Sequence, residues 1–185
     1  MPISQTKRVV VIGQGNVALD CARLLAKPLQ SLQSTDLTAA SLEQLATSTV
    51  TDIHVMGRRG HVQAAFTIKE LRELTKIPRV HVNILESELQ EGNTASSTEE
   101  IRAKRPLKRL TDLITTTASS SSVPSSSSEI DKTVHIRFLL SPVSLTEGRD
   151  DQQKGTGAIN SVVFEKCRLE GAPHAQRAVS TGTIR

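Results

Sequence analysis

The sequence has few aromatic residues and little cysteine. It contains no tryptophan and no tyrosine, and only three phenylalanines among 185 residues. Valine, isoleucine, leucine and alanine must therefore fill any hydrophobic core. Two cysteines, Cys21 and Cys167, are too few for a disulfide scaffold or a zinc ribbon. We expect Cys21 to be a small core residue. We expect no metal site, because the five histidines do not occur at zinc-ligand spacing.

Long apolar runs are also missing. The longest are far shorter than the roughly 20 residues that cross a bilayer, so no transmembrane helix is predicted. Residues 1–6 are too short for a signal or transit peptide, and we expect a domain taken from a longer protein. The net charge of +4, from 23 basic and 19 acidic residues, is small. No aromatic residues are interleaved with the basic ones to stack on bases, so the sequence predicts no nucleic-acid partner.

A glycine-rich loop stands between a predicted strand and a predicted helix. Residues 9–12 are an unbroken run of valine and isoleucine, which is typical of a buried parallel strand. Gly13, Gly15 and Ala18 then complete the Gly-x-Gly-x-x-Ala pattern of dinucleotide-binding folds. The first glycine allows a tight turn and the second allows close approach of a pyrophosphate to the helix N-terminus. The apolar face predicted for this helix comprises Val17, Cys21, Leu24 and Leu25.

Two arginines follow the second predicted strand. Residues 53–56 form this strand, and Arg58 and Arg59 lie between two glycines directly after it. An acidic residue at this place would bind the ribose hydroxyls of NAD(H), whereas two guanidinium groups can hold the 2′-phosphate of NADP(H). The sequence therefore predicts NADP(H) rather than NAD(H). The alternative is a solvated arginine pair on an ordinary loop.

The rest of the chain predicts more helices and strands, with one disordered region. We expect a helix over 37–45 capped by Asp36 or Thr38, a helix over 64–74 and a strand over 80–84. Residues 90–130 are polar and serine-rich, and they are predicted to be a disordered loop. Antiparallel strands are expected from 134 onwards. The predicted fold is α/β: a Rossmann-like parallel sheet with helices on both faces and an added antiparallel β hairpin.

Several segments resemble one enzyme family. The two longest are residues 11–20 (VIGQGNVALD), followed by Ala22 and Arg23, and residues 57–74 (GRRGHVQAAFTIKELREL). Both are similar to the adrenodoxin reductase family, the mitochondrial-type ferredoxin–NADP(+) reductases. Shorter likenesses occur at 105–113 (RPLKRLTDL), 168–171 (RLEG) and 179–182 (VSTG). The resemblance covers most of residues 1–185, which it identifies as an NADP-binding domain. It implies a fragment of a larger flavoprotein, because the family's FAD-binding glycine motif is not in this sequence.

The resemblance also implies roles for individual residues. It places Gly13, Gln14, Gly15, Asn16 and Val17 at the pyrophosphate. Arg58 and Arg59 would bind the 2′-phosphate, and Glu70 would be a further nucleotide contact. No catalytic residue is expected in this part, since the complete enzyme would pass hydride from NADPH to FAD and then single electrons to a ferredoxin. A mitochondrial location, on the matrix side of the inner membrane, and peripheral membrane association of the complete enzyme follow from the resemblance alone.

A basic segment is the predicted docking surface for the ferredoxin. The family's partner is a small acidic iron–sulfur protein, which complementary charge would attract. The basic residues are Arg72, Arg102, Lys104, Arg105, Lys108 and Arg109. The alternative is a solvated basic helix start beside a flexible loop.

Two other functions stay open from the sequence. The small subunit of glutamate synthase and its relatives share a similar glycine loop and an arginine pair, although they lack the helix at 65–71. A non-enzymatic NADP(H)-binding module, complete as it stands, is the second alternative.

Overall fold

Four parallel strands form the central sheet. The computed structural model describes residues 3–121, 130–149 and 155–185. The strands are β1 (Arg8–Ile12), β2 (Asp52–Met56), β3 (Val80–Ile84) and β4 (Lys132–Arg137). Their order across the sheet is β1-β2-β4-β3, and each neighbouring pair is parallel. This confirms the predicted parallel α/β sheet.

Helices connect the strands of this sheet. They are α1 (Asn16–Ala26), α2 (Leu29–Leu32), α3 (Ala39–Ala46), α4 (Ile68–Thr75), α5 (Glu86–Gly92), α6 (Ala95–Ala103) and α7 (Arg105–Ser121). The Thr38 hydroxyl caps α3 by accepting the Ser41 N–H at 3.2 Å. Within the described part of the chain, no helix has both the length and the apolar character of a membrane span.

A second, antiparallel sheet follows the parallel one. It contains β5 (Leu140–Arg149), β6 (Gly155–Glu170) and β7 (Arg177–Ile184) in that order. The predicted hairpin corresponds to β5 and β6, and β7 adds a third strand beside β6. Residues 150–154, between β5 and β6, lie outside the described residues. A small core of Met56, Leu140 and Phe164 lies where this sheet meets β2.

The main core lies on one face of the parallel sheet. Ile53, Val134 and Val82 are partners in register across three strands, and all belong to the same core cluster. Core residues of α1, α4 and α7 join that cluster. His54 and His135 occupy the opposite face and are only half-buried. Helices α1, α4 and α7 thus contribute to one core cluster packed on the sheet.

Helix α1 buries a different face from the one its larger apolar residues predict. The buried residues are Ala18, Leu19, Ala22 and Ala26. By contrast, Cys21 is exposed, Val17 is 75% exposed and Leu24 is 38% exposed. Three of the four buried residues are alanines, whose small side chains let the helix axis approach the sheet closely. The expectation that Cys21 is a core residue was wrong, because Cys21 does not lie on this buried face.

The predicted disordered loop is helical over most of its length. Residues 86–121 form α5, α6 and α7, and Leu110, Ile114 and Ala118 of α7 are buried in the main core. The apolar residues recur every fourth position, so α7 can bury a stripe despite its polar composition. The prediction of disorder over 90–130 was therefore wrong for residues 90–121. Residues 122–129, which hold the end of the serine run, lie outside the described residues.

Helices α5, α6 and α7 connect β3 to β4 and allow the two strands to run parallel. The sequence predicts antiparallel strands from Val134 onwards, but β4 is parallel to both β2 and β3. A parallel connection needs a crossover of a dozen or more residues, and the segment from α5 to α7 supplies it. The antiparallel strands begin only at Leu140.

The packing of α7 can be tested at Ile114. This side chain has no exposed area, whereas its neighbour Thr115 is exposed. We expect Ile114→Ala to lower the free energy of unfolding by about 2–5 kcal/mol, measured by urea denaturation. Thr115→Ala is the matched control and should change it by less than about 0.5 kcal/mol. Equal, small effects of both changes would mean that α7 is not packed against the sheet.

Candidate nucleotide-binding site

Two loops meet at the carboxyl edge of the parallel sheet. Strands β1 and β2 are in register from Arg8 with Asp52 to Ile12 with Met56, so they end together. The Gly13 N–H donates to the Met56 carbonyl at 2.8 Å. The glycine loop at 13–15 and the arginine loop at 57–60 therefore lie side by side. Ligands of open α/β sheets bind at this edge.

The glycine loop leaves open space above the start of α1. Gly13 has a φ of +130°, a backbone conformation that residues with side chains rarely adopt. A Cβ placed on Gly13 or on Gly15 would meet nothing within 4 Å. Gly15 is the N-cap of α1 and has no side chain to cap it, and no side chain of the described residues is seen to bond to that helix end. The positive end of the helix dipole thus faces space that a phosphate can enter.

Gln14 joins the two loops beneath this space. Its side chain is buried, and its Nε2 donates to the Arg137 carbonyl at 2.5 Å. A Cβ on Gly57 would lie 2.2 Å from Cδ of Gln14, which is closer than real contacts allow. Glycine at 57 is therefore required for Gln14 to cross under the arginine loop. The Gln14 Oε1 is buried without a hydrogen-bond partner in the described structure.

The start of α4 borders the other side of the glycine loop. The Ala65 N–H donates to the Gln14 carbonyl at 3.1 Å. The Asn16 Oδ1 accepts the Thr67 N–H at 2.9 Å, so this side chain holds the residue that precedes α4. The Thr67 hydroxyl donates to Glu70, which holds that carboxylate at the first turn of α4. Glu70 is thus near the glycine loop, as a nucleotide contact requires, while Asn16 has a structural bond already.

The two arginines of the second loop are exposed. Neither Arg58 nor Arg59 forms an ion pair with a carboxylate of the described residues. The backbone of this loop is held by the segment after β4, because the Leu139 N–H donates to the Arg59 carbonyl at 3.1 Å. Two guanidinium groups on a fixed backbone, both without an anionic partner, suit a dianionic phosphate.

His61 lies beneath the arginine loop. Its ring is 3% exposed and contacts Phe138 edge-on, with ring centroids 6.1 Å apart. Its Nδ1 is buried without a hydrogen-bond partner in the part of the chain described. Burial disfavours the charged imidazolium and lowers the pKa of His61 to about 4. The ring is therefore neutral at physiological pH and serves as packing for the loop.

The basic residues of the predicted docking surface are all exposed. They are Arg72, Arg102, Lys104, Arg105, Lys108 and Arg109. Arg72 of α4 and Arg109 of α7 line a shared groove together with Ile68, Pro106 and Asp112. Two helices that are distant in sequence thus bring their basic residues to one surface.

One ion pair beneath the site was not predicted. Glu88 of α5 is buried and binds Arg137 at the end of β4, with Oε1 2.5 Å from Nη2. The two residues are 49 positions apart, so no local pattern joins them. The only local signal was a charged residue, Arg137, at the end of an alternating strand.

Comparison with known proteins agrees with this geometry. The chain is 35% identical over 174 residues to the Arabidopsis thaliana protein named NADPH:adrenodoxin oxidoreductase, mitochondrial, covering 94% of this chain and 35% of that protein. The Homo sapiens protein of the same name is 36% identical over 179 residues, covering 95% of this chain and 34% of that protein. This chain is homologous to part of the NADPH:adrenodoxin oxidoreductases. It spans about a third of the length of these oxidoreductases.

A solved structure shares the fold as well. The FprA protein of Mycobacterium tuberculosis in complex with NADPH has a TM-score of 0.81 and 31% identity, covering 100% of this chain and 37% of that one. No family model matches the sequence. The likeness in sequence to the NADPH:adrenodoxin oxidoreductases and the likeness in structure to FprA thus each extend over nearly all of this chain.

The neutral state of His61 predicts how stability depends on pH. The unfolded chain binds a proton near pH 6.5, but the folded chain binds it only near pH 4. Stability should therefore fall as the pH drops from about 6.5 to about 4, by up to about 3 kcal/mol from this residue. Urea unfolding of the chain and of His61→Gln at both pH values measures the difference. An equal loss in both proteins would contradict the assignment to His61.

Proposed function

We propose that this chain is the NADP(H)-binding part of a FAD-dependent reductase that supplies electrons to an iron–sulfur ferredoxin. The observation that carries the proposal is the meeting of two loops: an uncapped helix N-terminus beside a pair of exposed arginines. Each loop matches one charged part of NADP(H). The sequence likeness to proteins named NADPH:adrenodoxin oxidoreductase supports the same assignment.

The pyrophosphate of NADP(H) would bind at the glycine loop. Gly13 and Gly15 keep the backbone clear of side chains, so that a phosphate can approach it closely. The N-terminus of α1, at Asn16 and Val17, supplies peptide N–H groups and partial positive charge. Gln14 positions the loop against its neighbour. Glu70 would contact the nucleotide from the start of α4.

The 2′-phosphate would bind at the arginine loop. Arg58 and Arg59 would form charge-assisted hydrogen bonds to it, and these bonds are absent with NAD(H). FAD, when bound in the complete enzyme, accepts hydride from the nicotinamide and releases electrons singly. The residues of this chain hold and orient the nucleotide for that step, and none of them is proposed to be catalytic.

The docking surface is proposed to bind an acidic iron–sulfur ferredoxin. Arg72, Arg105 and Arg109, with their basic neighbours on α6 and α7, present positive charge without ion pairs to the described carboxylates. Complementary charge increases the rate of encounter and makes it sensitive to salt. The curated relatives are named mitochondrial. We place the complete enzyme in mitochondria, at the matrix side of the inner membrane as a peripheral protein.

The two alternatives make different predictions. An enzyme similar to the glutamate synthase small subunit would share the nucleotide but not the helix at 65–71, whose residues here begin α4. A non-enzymatic module would bind NADP(H) and never be found with flavin. Flavin absorbance in the purified complete protein would support the reductase and contradict the module.

Nucleotide preference tests the roles of the two arginines. We expect Arg58→Ala and Arg59→Ala each to weaken NADP(H) binding by about 1–3 kcal/mol, the range for a charged hydrogen bond, and to leave NAD(H) binding nearly unchanged. Isothermal titration calorimetry of the 185-residue chain with both nucleotides measures this. Arg8→Ala is the matched control, because Arg8 is exposed at the amino end of β1. Equal affinities of the unaltered chain for both nucleotides would refute the proposal.

Charge reversal tests the docking surface. We expect Arg105→Glu combined with Lys108→Glu to weaken binding of an acidic iron–sulfur ferredoxin on the order of tenfold at low ionic strength, and less at high salt. Lys7→Glu combined with Arg8→Glu changes the net charge equally at a different place and is the control. If both double variants weaken binding alike, total charge rather than this surface attracts the ferredoxin.

A further inference from the structure

Three backbone hydrogen bonds join the arginine loop to one segment that is distant in sequence. The segment is residues 137–140, which connect β4 to β5. Gly57 N–H donates to the Arg137 carbonyl at 3.1 Å, and Gly57 C=O accepts the Leu140 N–H at 2.9 Å. The Leu139 N–H completes the set by donating to the Arg59 carbonyl. The position of the loop backbone therefore depends on the position of this segment.

The same segment also contacts the glycine loop. The Arg137 carbonyl accepts a second hydrogen bond, from the Gln14 side chain. The glycine loop has further bonds of its own, however, from Gly13 to Met56 and from Ala65 to Gln14. A shift of residues 137–140 would consequently disturb the arginine loop more than the glycine loop.

A buried carboxylate fixes residues 137–140. Glu88 is 4% exposed, and its Oε1 accepts hydrogen bonds from Arg137 Nε at 2.8 Å and Nη2 at 2.5 Å. Its Oε2 accepts the Phe138 N–H at 2.8 Å. One carboxylate thus binds both the side chain of one residue and the backbone of the next. Leu139 follows with a φ of +58°, a conformation unfavourable for leucine that its surroundings must maintain.

We propose that Glu88 is a positioning residue for recognition of the 2′-phosphate, acting through Arg137 and Phe138 on the backbone of Arg58 and Arg59. Glu88 does not touch the nucleotide. Its charged hydrogen bonds hold residues 137–140 in the one arrangement that places both guanidinium groups at the end of β2. This inference rests on the proposed NADP(H) site and assigns part of its specificity to a residue on α5.

Glu88→Gln tests the inference. The amide has nearly the same size and can still accept the Phe138 N–H, but it loses the charged bonds to Arg137. We expect the Kd for NADP(H) to rise about tenfold and the Kd for NAD(H) to change less than twofold, by titration calorimetry of the 185-residue chain. The ratio of the two constants is a readout that a general loss of stability would not move. Glu91→Gln is the matched control, since Glu91 lies on the same helix and pairs with Lys166 instead.

Non-additivity provides a second readout. In a chain that already carries Arg59→Ala, Glu88→Gln should raise the Kd for NADP(H) less than it does alone, because part of its effect passes through Arg59. Should Glu88→Gln fail to fold, Arg137→Lys keeps the charge and removes the two-nitrogen contact. It is expected to raise the Kd for NADP(H) relative to the Kd for NAD(H) in the same way.

The outcomes separate the inference from the function beneath it. If Glu88→Gln leaves the ratio of the Kd values for NADP(H) and NAD(H) unchanged, or raises both Kd values equally, Glu88 does not have the proposed role. The proposed function would still stand in that case, provided that the unaltered chain prefers NADP(H). Equal affinity of the unaltered chain for both nucleotides would instead remove the proposed function.

Discussion

The parallel register of β1 with β2 is the constraint on which the site depends. Because Ile12 and Met56 are partners, the loops that follow them emerge at the same edge of the sheet. Neither loop alone would distinguish a phosphorylated dinucleotide from other anions. Side by side, one offers a helix dipole and the other two guanidinium groups. A shift in this register would separate the two loops.

Local signals predicted this part of the molecule well. The unbroken valine run before Gly13, the spacing of the small residues after it and the arginines after the second strand each have a direct physical reason. The predicted sheet and the position of Arg58 follow from them. These signals did not predict which face of α1 is buried. The larger apolar side chains indicated the face of Val17 and Leu24, but small residues such as Ala22 lie against the sheet, because they allow close approach of the helix.

The remaining errors come from contacts between distant residues. Polar composition indicated disorder over 90–130, but the helix containing Ile114 finds its apolar partners on strands far away in sequence. The ion pair of Glu88 with Arg137 is likewise invisible to any window shorter than 49 residues. Composition measures how much apolar area a segment has, not whether another segment covers it. Whether another segment covers this apolar area is determined by the three-dimensional structure.

The alanines beneath α1 have a consequence for how this molecule can change. Ala18 and Ala22 set the height of the helix above the sheet, and therefore the height of its first peptide groups. A bulkier residue at either position would lift the helix away from β2. Such a change would also move the start of α1 relative to Arg58 and Arg59, and so disturb the proposed phosphate site. The volume allowed at these two positions is thus restricted by the proposed ligand geometry as well as by packing of the core.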